Sequence, residues 1–410
     1  MTKAEKTEKV NKKTARSILK PRYKFFMGLT RIFTYPIVRF KYRAKIEKFK
    51  GDNKRNYLIL FNHQTPFDQF FVLSAFKGVI RLVSSEDVSS NGFLSRILSY
   101  CYGIIPIKKQ TSDTRAVMES IKIAKAGGSI AVAPEGNRTY SGETCYINPS
   151  IAAFIKALKL PVVFFKIRGG YGVEPRWSDV KRKGKMLCGV TRVMEYDEYK
   201  DLSKDELYFL VKSELYQNES DDGEKFYSKK SAEKLERLLY VCPYCSLTEF
   251  KSKGDTVTCK TCNRKAVYGA DKRLTGDFPF NTVLEWYRYQ EKFIVEQDLN
   301  KFKEVPAFKD RAKVSRVIPY KKKIKLFKSA EILLFGDRIE VKSERGDIVM
   351  SFNDVTALTV LGRNKFDVYI GENIYQIKGD KSFNAIKYMH FKNIYSQKEG
   401  GKKNDFFFGI

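Results

Sequence analysis

The sequence predicts an α/β protein: a mixed, largely parallel sheet flanked by helices, then a small cysteine-rich unit and a C-terminal β-rich domain. Three observations carry that reading. Between residues 51 and 218, apolar runs of strand length alternate with stretches bearing helix caps and stops. Such alternation implies a parallel sheet covered on both faces. Two Cys-x-x-Cys pairs follow, at Cys242–Cys245 and Cys259–Cys262. From about residue 330 the pattern changes to short alternating runs broken by turn signals such as Gly336–Asp337, Gly362–Arg363–Asn364 and Gly371–Glu372–Asn373. That is the pattern of antiparallel strands.

Residues 1–50 hold 16 Lys or Arg against 3 Glu, a net +13. Phe25 to Phe40 is aromatic-rich between basic residues, which suits one or two helices lying in a membrane interface. The same residues equally suit helices packed on the domain that follows. Tyr57–Leu58–Ile59–Leu60–Phe61 reads as a buried strand running into Asn62–His63–Gln64–Thr65–Pro66–Phe67–Asp68. There Thr65 reads as a helix N-cap, Pro66 as the first helical residue and Asp68 as the third. Ser112 can cap a helix to about Ala126 that Gly127–Gly128 ends. The next strand, Ser129–Ala133, delivers Pro134–Glu135–Gly136–Asn137–Arg138–Thr139 to the same sheet edge as His63 if the strands are parallel. Open α/β sheets bind ligands at that edge.

A helix near Pro149–Leu158, strands at Pro161–Lys166 and Met186–Val190, and a helix from the capping box Ser203–Glu206 to about Tyr216 complete this unit. Glu219–Gly223 reads as a polar linker. Residues 280–299 read as a helix with apolar contacts from Trp286, Tyr287 and Phe293, and Ser382–Gln397 as a closing amphipathic helix. The expected divisions are a basic, aromatic-rich N-terminal segment 1–50, an α/β domain 51–218, a cysteine unit 236–272, a connecting helix 280–300 and a β module 315–398.

Composition narrows the function classes. A 410-residue chain with 43% hydrophobic residues can bury a sizeable core, and its net charge of +30 favours a polyanionic partner, nucleic acid or an anionic membrane surface. No apolar run reaches the about 18 residues of a membrane-spanning helix. The N-terminus lacks the layout of a signal peptide. An intracellular protein, at most peripheral on the cytoplasmic face of a membrane, is expected.

His63 is one of two histidines, so it is the main candidate for a neutral-pH base. Placed in the turn before the cap, its ring can fold back to the Asp68 carboxylate, which would orient it and stabilise its protonated form while it takes a proton from a hydroxyl. The alternative is a packed turn histidine and a purely capping aspartate. In Glu135–Gly136–Asn137–Arg138, the glycine permits close backbone approach to a ligand and the arginine fork suits a phosphate. A loop Glu–Arg pair also suits a surface salt bridge.

Read in order, Asn62–His63–x4–Asp68, Gly103–Ile104–Ile105–Pro106–Ile107–Lys108–Lys109, Pro134–Glu135–Gly136–Asn137–Arg138–Thr139 and Leu160–Pro161–Val162–Val163 resemble the four blocks of the glycerolipid acyltransferase family. The best-known members of that family are the 1-acylglycerol-3-phosphate acyltransferases. The resemblance covers roughly residues 50–215. Pro106 departs from the usual Phe, Lys109 from Arg, Asn137 from Thr and Phe164 from Pro, which bears on acceptor and acyl-chain preference. The resemblance implies that His63 is the general base and Asp68 its orienting partner. It implies that Arg138 with Lys108 or Lys109 holds the acceptor phosphate, and that Glu135, Gly136, Asn137 and Thr139 belong to the same substrate pocket. Acyl-CoA or acyl carrier protein would be the donor, backbone donors near the helix start would stabilise the oxyanion, and no catalytic cofactor is needed. The implied reaction converts lysophosphatidic acid to phosphatidic acid. Another lyso-lipid or glycerol-based acceptor is the alternative.

Thirteen residues separate the two cysteine pairs, a spacing that suits a zinc ribbon in which Cys242, Cys245, Cys259 and Cys262 hold one structural Zn²⁺. Cys242–Pro243–Tyr244–Cys245 also reads as a redox dithiol, but the second pair and the missing βαβ context favour zinc. Cys101, Cys145 and Cys188 read as core or incidental, and His390 as packed. The β module looks like a pleckstrin-homology or GRAM-type barrel, or a generic partner-binding domain. A zinc-containing nucleic-acid or membrane-binding module is the reading from a different class. Nucleic acid is disfavoured, because the charge is densest beside interface-like aromatics and not in the ribbon.

Overall fold

The structure, a computed structural model, describes residues 17–52, 54–85, 93–107, 114–319 and 322–399. Seven strands form the first sheet: β1 (Ala44–Ile46), β2 (Leu58–Phe61), β3 (Ile80–Ser85), β4 (Ile105–Ile107), β5 (Ser129–Val132), β6 (Val162–Arg168) and β7 (Met186–Met194), in the order β1-β7-β6-β2-β5-β3-β4. The five from β6 to β4 are mutually parallel. β7 runs antiparallel to β6, and β1 parallel to β7. The sheet is therefore mixed and largely parallel.

Alternation along the central strands explains why helices cover both faces. Leu58, Leu60, Ile130, Val132, Val162 and Phe164 join one apolar core, while Ile59, Phe61, Ala131, Val163, Phe165 and Ile167 join the other. Successive strand side chains point to opposite faces, so a strand apolar at every position must be buried twice. β2 lies between β5 and β6, and the carboxyl ends of all three open on one edge. His63 follows β2 directly there and the 133–139 loop follows β5.

The sheet begins before residue 51. β1 is a three-residue edge strand inside the Lys-rich stretch 41–50, too short and too charged to show a period in sequence. Ahead of it runs a helix, Pro21–Pro36, continuing as a π turn through Lys41. One side packs on the domain through Tyr23, Met27, Thr30 and Val38, whereas Ile32, Phe33 and Phe40 are exposed at 70%, 68% and 75%. The reading of a helix packed on the following domain thus holds for one side, and the other side is apolar and exposed. Tyr100, on the helix Phe93–Tyr102, lies beside Phe26 and under the Arg22 guanidinium and extends the exposed apolar area. Among the described residues, no helix is long and apolar enough to cross a membrane.

The rest of the chain shares one core. Leu238 to Cys242, Phe250, Val257, Trp286, Ile332, Val360, Phe366 and Phe391 belong to a single cluster, so the cysteine unit, the helix Val283–Glu296 and the β module are packed together. That module has seven antiparallel strands, β14 (Phe308–Ile318), β15 (Lys322–Leu334), β16 (Arg338–Lys342), β17 (Ile348–Ser351), β18 (Val355–Leu361), β19 (Lys365–Ile370) and β20 (Asn373–Gly379). Their order is β17-β16-β15-β14-β20-β19-β18; the two- to four-residue strands between 241 and 276 account for the intervening numbers. β14 and β15 start before the expected boundaries at 315 and 330, because their many lysines read as a charge run. The closing helix, Ile386–Lys398, is not amphipathic: Lys387, His390, Lys392, Asn393 and Ser396 are buried along with its apolar residues. Asp310 of β14 makes that possible by accepting from Lys387 Nζ at 2.8 Å and Tyr388 Oη at 2.6 Å.

Candidate active site and cysteine centre

Asn62 directly follows β2 and extends its pairing by side chain, with Nδ2 donating to Ile167 O at 2.9 Å and Oδ1 accepting from Ile167 N at 2.7 Å. The chain then turns. The helix starts at Asp68, two residues later than Pro66, because Thr65 Oγ1 accepts from Phe67 N and donates to Asp68, closing a turn ahead of it. Asp68 is fully buried and accepts from Gln64 N (2.6 Å), Thr65 N (2.9 Å), Thr65 Oγ1 (2.7 Å) and His63 Nδ1 (2.8 Å). With Asp68 placed as an acceptor by its other donors, His63 Nδ1–H donates to it and Nε2 carries the lone pair. The His63 side chain is 26% exposed. Burial holds its pKa below the ordinary imidazole range; the Asp68 carboxylate pulls upward, and the Arg138 and Arg176 charges push further down. At neutral pH the ring is the unprotonated form that a general base requires.

The loop after β5 grips His63 by its backbone. Glu135 Oε1 accepts from His63 N at 2.8 Å and Oε2 from Cys145 N at 2.7 Å, while Thr139 N donates to His63 O at 3.1 Å. Glu135 is completely buried, and burial pushes its pKa up to about 8 against those two N–H bonds. Gly136 turns at φ +60°, a left-handed conformation that glycine adopts without strain. Asn137 and Thr139 are buried, with Thr139 Oγ1 donating to Glu143 O at 2.5 Å. Thus Glu135, Gly136, Asn137 and Thr139 shape the loop around His63. Arg138 is the residue with capacity to spare: its Nη1 is shielded from solvent and has no hydrogen-bond partner among the described residues, and burial pushes its pKa down to about 10. Lys108 and Lys109 lie outside the described residues. The N–H groups of Gln64, Thr65 and Phe67 near the helix start are already engaged.

Sequence reasoning missed three residues here. Arg176, 3% exposed, donates Nη1 to Asn137 Oδ1 (3.3 Å) and Arg138 O (3.0 Å), Nη2 to Val360 O (2.7 Å) and Nε to Gly362 O (3.1 Å). Glu174 accepts from Tyr42 Oη at 2.6 Å and from Arg363 Nη2 at 2.7 Å, and pairs with Lys181 at 3.0 Å. Glu219 is no linker residue: buried, it accepts from Gly169 N at 2.6 Å and Tyr171 N at 3.0 Å, pinning the turn after β6. The Pro175–Arg176–Trp177 run, outside any strand or helix pattern, was the only cue to the first.

The four cysteines converge. Their Sγ atoms all lie within 4.8 Å of one another, with Cys242 and Cys262 at 3.8 Å. Tetrahedral zinc with about 2.3 Å bonds puts its sulfurs about 3.8 Å apart, whereas a disulfide needs about 2.05 Å. Left-handed backbone at Ser246 and Asn263, the residue after each pair, makes two matching knuckles. Helix Val283–Glu296 holds the strand carrying Cys242, with Trp286 Nε1 donating to Val241 O at 2.8 Å and Gln290 Oε1 accepting from Tyr240 N at 2.6 Å. The residues fit zinc. His390 is 4% exposed between Tyr240 Oη (2.6 Å) and Tyr287 Oη (3.0 Å), and burial drives its pKa down to about 3.

Residues 37–167 match the family model described as Acyltransferase. The match spans His63, Asp68 and the 133–139 loop and supports an acyltransferase domain in that stretch. A search of curated proteins gives no match. Among solved structures the chain is similar to the 1-acyl-sn-glycerophosphate (LPA) acyltransferase PlsC from Thermotoga maritima, at 18% identity over 47% of this chain and 77% of that one, TM-score 0.39. It is also similar to the N-terminal PH domain of human ARAP2, at 13% identity over 22% of this chain and 81% of that one, TM-score 0.18.

Two predictions follow from this geometry. Because burial depresses the His63 pKa, the acid limb of kcat/KM falls with a midpoint below the ordinary imidazole value of about 6.5, activity being lost as pH drops through it. Asp68→Asn removes the upward pull, moving that midpoint further acid while lowering the plateau. A limb above 6.5 in the pH–rate profile contradicts the assignment. Purified protein binds one zinc per chain by elemental analysis, and Cys259→Ser or chelation lowers both zinc content and melting temperature. Unchanged melting on complete zinc loss contradicts a structural metal.

Proposed function

We propose that the protein is an O-acyltransferase that moves a fatty acyl group from acyl-CoA or acyl carrier protein to the free hydroxyl of lysophosphatidic acid, giving phosphatidic acid. The observation that carries this reading is the His63–Asp68 pair together with an Arg138 Nη1 that has no partner among the described residues. His63 Nε2 takes the proton of the acceptor hydroxyl as its oxygen attacks the thioester carbonyl. A tetrahedral oxyanion forms, the C–S bond breaks, and the imidazolium returns the proton to the departing thiolate. Asp68 holds the ring and stabilises its cationic form. Arg138 binds the acceptor's phosphate, and Lys108 or Lys109 assists it.

Zn²⁺ bound by Cys242, Cys245, Cys259 and Cys262 has a structural role, since four thiolates leave no open position. The exposed Phe25, Ile32, Phe33, Phe40 and Tyr100, interspersed with Lys24 and Arg39, dock the protein on an anionic membrane surface. A PH- or GRAM-like role for the β module fits that location.

An acyl-transfer assay offering lysophosphatidic acid, glycerol 3-phosphate and monoacylglycerol, with each donor, tests the reading. Turnover is expected on lysophosphatidic acid and is lost by ~10²–10⁴-fold in His63→Ala; Arg138→Ala weakens phosphate-bearing acceptors most. Full activity in His63→Ala removes the mechanism. In vesicle sedimentation, Ile32→Asp with Phe33→Asp reduces binding to anionic liposomes by at least about tenfold, given ~1.5–3 kcal/mol per buried large apolar side chain. Undiminished binding rejects this docking face.

A further inference from the structure

The hairpin between β18 and β19 reaches the candidate active site from the other half of the molecule. Arg176 is the junction. One guanidinium binds Arg138 O and Asn137 Oδ1 on the catalytic loop, and Val360 O and Gly362 O on the hairpin. Residue 138 and the residue preceding Arg363 therefore meet at the same side chain. Arg363 itself turns toward the α/β domain, with Nη2 on Glu174 at 2.7 Å and Nη1 3.4 Å from Asp179. Its Nε, like Arg138 Nη1, is shielded from solvent and has no hydrogen-bond partner among the described residues.

The charge balance has a sign. Among the described residues Arg176 bonds to carbonyl and amide oxygens and to no carboxylate, so none neutralises it directly. Glu174 is shared between Arg363 and Lys181, and Asp179 is held by Arg237 through two bonds of 2.7 and 2.9 Å. Asp68 is committed to His63. The positive charges of Arg176 and Arg363 both bear on Arg138, opposed by the carboxylates of Glu174 and Asp68, which are already engaged. Two shielded guanidinium N–H groups without acceptors among the described residues, beside the Arg176 charge, call for an anion with several oxygens.

We infer that Arg363, delivered by the C-terminal β module, completes the pocket of Arg138 and binds the phosphate monoester of the acceptor. This rests on the acyltransferase reading above. The α/β domain then holds only part of its own substrate site, and Arg363 is a specificity-determining residue. Acyl-CoA also carries phosphates, so the test separates the two sources.

Arg363→Gln and Arg363→Lys are compared with wild type in the full, zinc-loaded chain, with melting temperature as the check on folding. The ratio of kcat/KM on lysophosphatidic acid to that on monoacylglycerol is measured with acyl-CoA and with acyl-pantetheine, which lacks the CoA phosphates. Losing a charge-assisted hydrogen bond of about 1.5–3 kcal/mol corresponds to about 10- to 100-fold. Arg363→Gln is expected to lower the acceptor ratio by that factor with either donor, mainly through the acceptor KM, and Arg363→Lys to restore part of it. An unchanged ratio in folded Arg363→Gln overturns the inference. So does a loss seen with acyl-CoA and absent with acyl-pantetheine, which assigns the pocket to the donor. If wild type transfers to no acceptor, the acyltransferase reading fails first. Calorimetric binding of glycerol 3-phosphate then still decides the pocket: weakening by at least about tenfold in Arg363→Gln supports it, and equal binding rejects it.

Discussion

The site depends on one histidine held by two buried carboxylates. Asp68 takes the ring through Nδ1, and Glu135 takes the main-chain N–H of the same residue. Fixing the backbone limits where the side chain can start, and fixing Nδ1 limits where Nε2 can point. A general base needs both, since proton transfer works only over hydrogen-bond distance. The arrangement costs the desolvation of two acids. Asp68 offsets that cost with four donors on its two oxygens. Glu135 has only two N–H groups, and its pKa stays raised to about 8. The loop after β5 thereby helps to position the histidine and is not merely a wall beside it.

Buried arginines do a second kind of work. Arg176 joins the 133–139 loop to β18, and Arg237, 4% exposed, joins Trp177 O and Asp179 to Lys381 O. A guanidinium offers five donors in a rigid fork, so one side chain can satisfy carbonyls from several segments. This qualifies the meaning of the +30 net charge. Part of it is internal stapling and faces no partner. What remains available to a polyanion includes the exposed Lys24 and Arg39 beside the apolar helix face.

Sequence was most legible where geometry demands particular residues. β2, β5 and β6 announce themselves because a strand buried on both faces must be apolar throughout. The cysteine knuckles do so because four thiolates must converge. His63 and Asp68 were readable as a pair through the turn chemistry between them, although the helix begins at Asp68 and not at Pro66. Legibility failed where a residue's partner is distant in the chain. Nothing local distinguishes Arg176 from a surface arginine, since its acceptors at 360 and 362 lie 184 and 186 positions away. Glu219 sits in an acidic run that looks solvated, yet it is buried and accepts from Gly169 N, Tyr171 N and Gln217 Nε2. Helix Ile386–Lys398 fails for the same reason: Lys387 reads as a solvent-facing position until Asp310 is placed against it.

These distant contacts make the two halves mechanically continuous. Cys242 lies on a strand clamped by Trp286 and Gln290, and the helix bearing those residues packs in the same core as β18. The tip of β18 is held by Arg176, which also holds the carbonyl of Arg138. Metal binding adds folding free energy to whichever unit contains the ligands, and here that unit is the whole C-terminal core. Zinc would therefore stabilise the platform on which the hairpin stands, several layers from the histidine. Loosening that platform would free Arg176 from Val360 and Gly362 and leave a buried cation short of acceptors, a state costly enough to favour re-docking. The same cost that makes the junction hard to open keeps the 133–139 loop, and with it His63, in one geometry.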